Sequence, residues 1–253
     1  RRLREKYKTI ADIEDMAKEK NIPIYEAFEG THIEDELLIL SPEKQYYLSL
    51  LVSSEKTPLE MSSALQHDGT LLKFLESVKD FALNILETWD IETLRESETT
   101  SAENETSVIL RGKVDGSGFI LTGDAGIGSL NRAIDYMEKI GENIVEDISF
   151  YQVPHHGGRH NVSPSVLNRM LGEKIEKGSS RNKVAFASVA QNSSHPLKMV
   201  TNAYIRRGVT IYKTNGNVIC HHNGKMPDRR WVGLKTIAVS YTHLRAHETT
   251  LHL

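Results

Sequence analysis

Cysteine is almost absent: Cys220 is the only one among 253 residues. That excludes a disulfide framework and a zinc finger built on thiolates. No apolar run approaches the ~18 residues that a membrane-spanning helix takes. Charge of one sign is lacking too. Lys and Arg number 31 against 34 Asp and Glu, a formal net charge of -3. A nucleic-acid coat held by bulk positive charge is excluded, although a local basic cleft is not. No methionine stands at position 1, and Arg1-Arg2-Leu3 opens no signal peptide, so the chain reads as a piece of a longer, cytoplasmic protein. Three chemistries are missing as well. There is no G-x-S-x-G elbow for a serine nucleophile, no phosphate-cradling G-x-x-x-x-G-K-[ST] loop, and no G-x-G-x-x-G opening a helix.

What is present is a soluble composition, 39 % hydrophobic and 26 % charged, able to bury a core. Tyr7, Ile10, Ile13 and Met16 recur every three residues, which predicts a helix over 4–19. Ile22 to Tyr25 predicts a short strand, Gly30 a turn, and Leu37 to Leu40 a strand ending at Ser41-Pro42. Helices are predicted over 43–53 and 70–88. The polar stretch 94–106 reads as a linker or surface loop. Beyond it, strands over 107–111 and 118–122 flank the turn Asp115-Gly116, a hairpin signal. A helix over 127–140 follows, then a strand over 148–153, a helix over 163–171, a strand over 183–189, a helix over 197–206, and strands over 209–213 and 217–221. The alternation predicts an α/β layered fold. Residues 239–253 have neither period nor turn logic and resemble translated read-through. The expected domain therefore spans 1–238, with a helical insertion over 43–103. The rival reading of the tail, a metal-binding run of His243, His247 and His252, rests on spacing alone.

Chemistry-bearing residues gather at three predicted strand ends. Leu121-Thr122-Gly123-Asp124-Ala125-Gly126 sets a carboxylate between glycines before a helix, where Asp124 is either the helix cap or a functional group. Val153-Pro154-His155-His156-Gly157-Gly158-Arg159-His160 sends adjacent imidazoles, common metal ligands, into a glycine pair. Ser188 to Pro196 is a polar loop holding Asn192, Ser194 and His195; Pro196 suits the first turn of the next helix. His195 reads either as functional or as incidental to that cap. His32 and His67 sit in polar turns and His221-His222 at a surface hairpin, all expected to be solvated. Arg159, Lys198, Arg206 and Arg207 are candidate phosphate contacts, the plain alternative being a solvated basic face.

The succession Asn104-x-x-Ser107-Val108-Ile109-Leu110, Leu121-Thr122-Gly123-Asp124-Ala125, Val153-Pro154-His155-His156-Gly157 and Ser188-x-x-x-Asn192-x-x-His195-Pro196 resembles the metallo-β-lactamase-fold superfamily. It is most similar to the competence-type, ComEC-like hydrolases, and Val209 to Thr214 with Gly216 is similar to their closing hairpin. The resemblance covers roughly 104–220, and 1–42 loosely. It implies a four-layer αββα sandwich with two divalent metal ions, Zn or Mn, at one sheet edge. In that frame Asp124 and His155 are metal ligands. His156 and His195 are catalytic or substrate-facing, with His195 a proton donor or phosphate contact. Asn192, Ser194 and Arg159 bind substrate. The reaction implied is phosphodiester or nucleic-acid hydrolysis by a metal-bound hydroxide. An ester, lactam or thioester substrate is the alternative, as is a non-catalytic module presenting the 43–103 insertion to a partner. The family's first metal motif, H-x-H-x-D-H, is missing from the chain together with the strands around it. The chain as it stands is thus expected to bind metal weakly and to be catalytically silent.

Overall fold

The computed structural model describes residues 8–54, 87–114, 116–222, 227, 230 and 232–239. In chain order these form α1 (Lys8–Glu19), β1 (His32–Ile33), β2 (Leu37–Ser41), α2 (Lys44–Ser53), α3 (Ala102–Glu105), β3 (Ile109–Val114), β4 (Ser117–Leu121), α4 (Ile127–Lys139), α5 (Ile144–Asp147), β5 (Ile148–Gln152), α6 (Pro164–Leu171), β6 (Lys183–Ala187), α7 (Lys198–Arg206) and β7 (Val209–Lys213). The strands make one seven-stranded mixed sheet in sequential order. The β1 to β4 pairs are antiparallel. From β4 to β7 the pairs are parallel, so the carboxyl ends of β4, β5, β6 and β7 share one edge.

Alternation along the strands decides which face is buried. Leu38, Leu40, Ile109, Ile120, Tyr151, Ala185, Ala187, Val209 and Ile211 point to one side and join Leu130, Ile134, Met137, Val166, Leu167, Met170, Val200 and Tyr204 of the helices in a single core. Tyr151 stays satisfied inside it, its one hydroxyl proton having the carbonyls of Ile144 (3.1 Å) and Met170 (3.0 Å) within reach as acceptors. The opposite face of β4 to β7 carries Phe119, Phe150, Phe186 and Tyr212, all half-buried. Phe119 lies so close over Gly112 that a Cβ there would be 2.0 Å from its ring. Phe150 meets Phe186 edge-on at 5.1 Å, and Phe186 meets Tyr212 at 5.7 Å. A cavity of about 480 Å³ opens over Phe119, Leu121, Phe150 and Phe186. No described helix is long and apolar enough to cross a membrane.

Several sequence expectations need correction. Residues 22–25 form no strand: the apolar run has no described neighbour to pair with, and Ile22, Ile24 and Tyr25 stay exposed. Helix α1 forms, but only Ala11 is buried while Ile10, Ile13 and Met16 are exposed, so its apolar stripe adds nothing to this core. Residues 217–221 form no strand either. His221 is exposed, as expected, with one ring face stacked on Phe150 at 4.9 Å. The predicted helix over 70–88 lies almost wholly outside the described residues. Segment 94–106 is more than a surface linker: Leu94 is buried and α3 folds within it.

Candidate functional site

Three loops leave the shared carboxyl edge of the parallel strands, the position where open α/β sheets bind ligands. The first follows β4. Gln152 on β5 accepts from the backbone of Thr122 (3.0 Å) and Gly123 (3.1 Å) through Oε1, stitching the two strand ends together. Gly123 has φ +53, in the left-handed region, and the Asp124 N–H donates to Ser107 Oγ at 3.1 Å. The Asn161 amide holds the same turn from below, donating to the carbonyls of Asp124 (2.9 Å) and Ala125 (3.2 Å). Asp124 does not cap the helix. The N-cap is Gly126 with no side-chain bond, and Glu105 of α3 supplies the acceptors instead, taking the N–H groups of Gly128 (3.2 Å) and Ser129 (2.7 Å). The Asp124 carboxylate is thereby left for the cleft.

The second loop follows β5. His155 (φ 43, ψ 51) and His156 (φ 60, ψ 7) are consecutive left-handed residues with side chains, an arrangement costing about 1–3 kcal/mol per residue and found where surroundings over-determine it. The surroundings are visible. The His155 N–H donates to the Gly123 carbonyl at 3.1 Å and the Leu197 N–H to the Gly157 carbonyl at 3.1 Å. Gly157, at φ +88, packs so tightly under Pro196 that a Cβ would come within 2.4 Å of that ring. The His156 Nδ1 lies 2.5 Å from the Ser188 carbonyl. A carbonyl only accepts, so Nδ1 is the nitrogen that donates in this contact.

The third loop brings His195 beside the other two histidines. Burial, then the charges of His156 and His155, hold its pKa below the ordinary imidazole range. The His195–Pro196 peptide is cis, and α7 begins two residues later with Leu197 as its cap. Pro196 therefore precedes the helix and does not belong to its first turn.

Between these loops lies a cavity of about 480 Å³ lined by Thr99, Thr100, His155, Gly158, Arg159, His160, Asn161, Ser194, His195 and Leu197. Its lining holds imidazoles, a guanidinium, hydroxyls and an amide, and among the described residues no carboxylate. Of the sequence candidates, His155, His195, Arg159 and Ser194 line it. Asp124 stands at its edge and His156 beside it. Asn192 lies on the exposed loop at φ 61, outside the lining. Thr99, Thr100, His160 and Asn161 were not singled out from sequence. Arg159-His160 directly after the glycine pair was the one local signal for the latter two.

Arg206 and Arg207 are neither phosphate contacts nor a solvated face. Both are fully buried, Arg206 against Glu87 at 2.6 Å and Arg207 against Glu92 at 2.8 Å. Burial pushes Glu92 up, but hydrogen bonds and charge from Arg207 and from Lys174 outweigh it and hold its carboxyl below the usual range. Lys198 is exposed at the start of α7 and outside the cavity lining.

A metal ion was tested against the donors. The Asp124 Oδ1 and His155 Nδ1 stand 3.4 Å apart, and that nitrogen is buried with no hydrogen bond. An orphan imidazole nitrogen beside a carboxylate is ligand chemistry, but it amounts to two donors, and a catalytic metal takes about three protein ligands. Among the described residues no group of three or more His, Cys, Asp or Glu is placed to hold a metal ion. The described set does not make a metal centre. Compared with protein-family models, with curated proteins and with solved structures, the chain matches none.

Proposed function

We propose that the cleft at the strand ends binds the phosphoryl group of a phosphodiester, in a hydrolase of metallo-β-lactamase type. The observation that carries this reading is the cavity itself: Arg159, His155, His195, Ser194 and Asn161 line it, and among the described residues no carboxylate does, so its donors fit an oxyanion. The Asp124 carboxylate, 3.4 Å from the lining residue His155, flanks it as a proton acceptor. Burial and the neighbouring histidines disfavour the charged form of His195, and a bound phosphodiester anion would raise its pKa back toward the range of a proton donor. A phosphoryl substrate is favoured over an ester, lactam or thioester because those carry no anion at the reacting centre for Arg159 to meet.

We further propose that this sheet is one half of a four-layer sandwich. Parallel strands are covered on both faces in nearly all known cases, and here the Phe119, Phe150, Phe186 and Tyr212 face has no helical layer among the described residues. No step is assigned to a metal, because the described donors are too few. Accordingly this chain binds zinc weakly and hydrolyses bis-p-nitrophenyl phosphate with Mn²⁺ no faster than Asp124→Ala does. Calorimetric zinc titration tests this: one weak event or none is expected, and two tight sites contradict it. A non-catalytic interaction module is the reading that remains if neither phosphate nor dimethyl phosphate binds.

A further inference from the structure

Two side chains that play no part in the proposed chemistry stand in line behind Arg159. The Arg159 Nε–H donates to His160 Nε2 at 3.1 Å, and the other ring nitrogen, Nδ1, is 2.7 Å from Glu98 Oε2. The two distances fix the protonation of the ring. A guanidinium N–H only donates, so Nε2 has to be a bare lone pair; a carboxylate only accepts, so Nδ1 has to carry the hydrogen. His160 is thus a neutral imidazole in the Nδ1–H form, and an imidazolium would present a proton to Arg159 where a lone pair is needed. Glu98 is the group that selects this form. It reaches His160 from the 94–106 segment, where Arg95 also approaches it at 3.9 Å. Arg159 is buried and lines both the cleft and the narrow gap beneath residues 93–98. Its long, flexible side chain has to be ordered before it can meet an anion, and the cost of that order falls on binding unless the free protein has met it already.

We infer that Glu98 and His160 are positioning residues: through the Glu98–His160–Arg159 line they hold the guanidinium in place for an oxyanion in the cleft. This rests on the reading of the cleft as a phosphoryl site. It makes the 94–106 segment part of the site, which neither its composition nor its spacing suggested.

The test uses the full chain, with inorganic phosphate and dimethyl phosphate as separate titrants, and binding followed by calorimetry. Both are expected to bind, the monoanionic diester retaining the Arg159 dependence. Arg159→Ala, His160→Ala and Glu98→Ala each weaken binding about tenfold or more, the size of one lost charge-assisted hydrogen bond. Glu98→Gln, whose amide oxygen still accepts from Nδ1–H, stays within about threefold of the parent. A signature that loss of packing alone would not produce comes from two-bond proton–nitrogen correlation of the ¹⁵N-labelled protein. His160 reads as Nδ1–H in the parent and in Glu98→Gln, and shifts toward the Nε2–H form in Glu98→Ala. Three outcomes are distinguishable. If neither titrant binds the parent, the phosphoryl reading falls and takes the inference with it. If Arg159→Ala abolishes binding while Glu98→Ala leaves it unchanged, the site stands and the positioning role is overturned. If His160 reads as Nε2–H in the parent, the line is overturned whatever the affinities are.

Discussion

Arg206 and Arg207 at the end of α7 and Arg159 at the strand-end cleft share a residue type, and all three are buried, yet their surroundings differ. The α7 pair is spent inside the fold. Arg206 meets Glu87 and donates to the carbonyls of Thr88, Trp89 and Ile91, while Arg207 meets Glu92 and the Asn168 side chain. Together they pin residues 87–93 to the helix layer. Arg159 lines a cavity and takes its orientation from a neutral histidine. What separates them is place: the first two are enclosed with carboxylates inside the fold, and the third opens onto a cavity and meets the His160 ring. Burial alone does not tell an arginine enclosed in the fold from one that opens onto a cavity.

The largest expected effect lies on the structural side. Arg206→Ala leaves Glu87 buried at 1 % exposure without its cation, and breaking such a pair costs about 3–5 kcal/mol. Urea unfolding should show it, with Glu87→Gln in the same chain recovering part of the loss. If Arg206→Ala costs no more than Arg159→Ala, the contrast fails. Next is Glu92. Its carboxyl is held below the usual range, so its contribution is complete above the ordinary carboxylate pKa and is lost as pH falls through the lowered value. Urea midpoints measured from about pH 6 down to about pH 3 should fall steeply in the parent and more gently in Glu92→Gln. Glu105→Ala, which strips the α4 cap, is expected to cost about 1 kcal/mol by urea unfolding. Smallest of all are the cleft changes Asp124→Asn and Ser194→Ala. Each should move stability by no more than about 0.5 kcal/mol, and thermal unfolding checks this. A larger loss would mean that Asp124 is a structural group after all.

The sheet was legible because its signals are local. Val209 to Lys213 alternates with period two and forms the strand over the range read from sequence, and α4 keeps its apolar stripe of Leu130, Ala133, Ile134 and Met137. Ile22 to Tyr25 and residues 217–221 were read as strands and formed none, since a strand also needs a neighbour. The cleft was legible as three strand ends, because glycine, proline and histidine clusters mark loops. Its convergence was not, since that follows from parallel pairing of β4, β5 and β6. The arginines were misassigned for a related reason: Arg207 meets Glu92 across 115 residues of chain, and no window sees that. Glu105 reaches Ser129 over 24 residues in the same way. The left-handed pair His155-His156 was unreadable, because only glycine announces such geometry in sequence.

The central claim, that the strand-end cleft is an oxyanion site, is tested most directly by following the His195 imidazole by NMR as inorganic phosphate is added. Burial and the neighbouring His156 and His155 keep its pKa below the ordinary value in the free protein. An anion bound beside it offsets that penalty. His195 should therefore titrate at a higher pH with phosphate present, binding should tighten as pH falls below the usual histidine range, and Arg159→Ala should abolish the shift. A His195 titration that phosphate leaves unchanged would contradict the account.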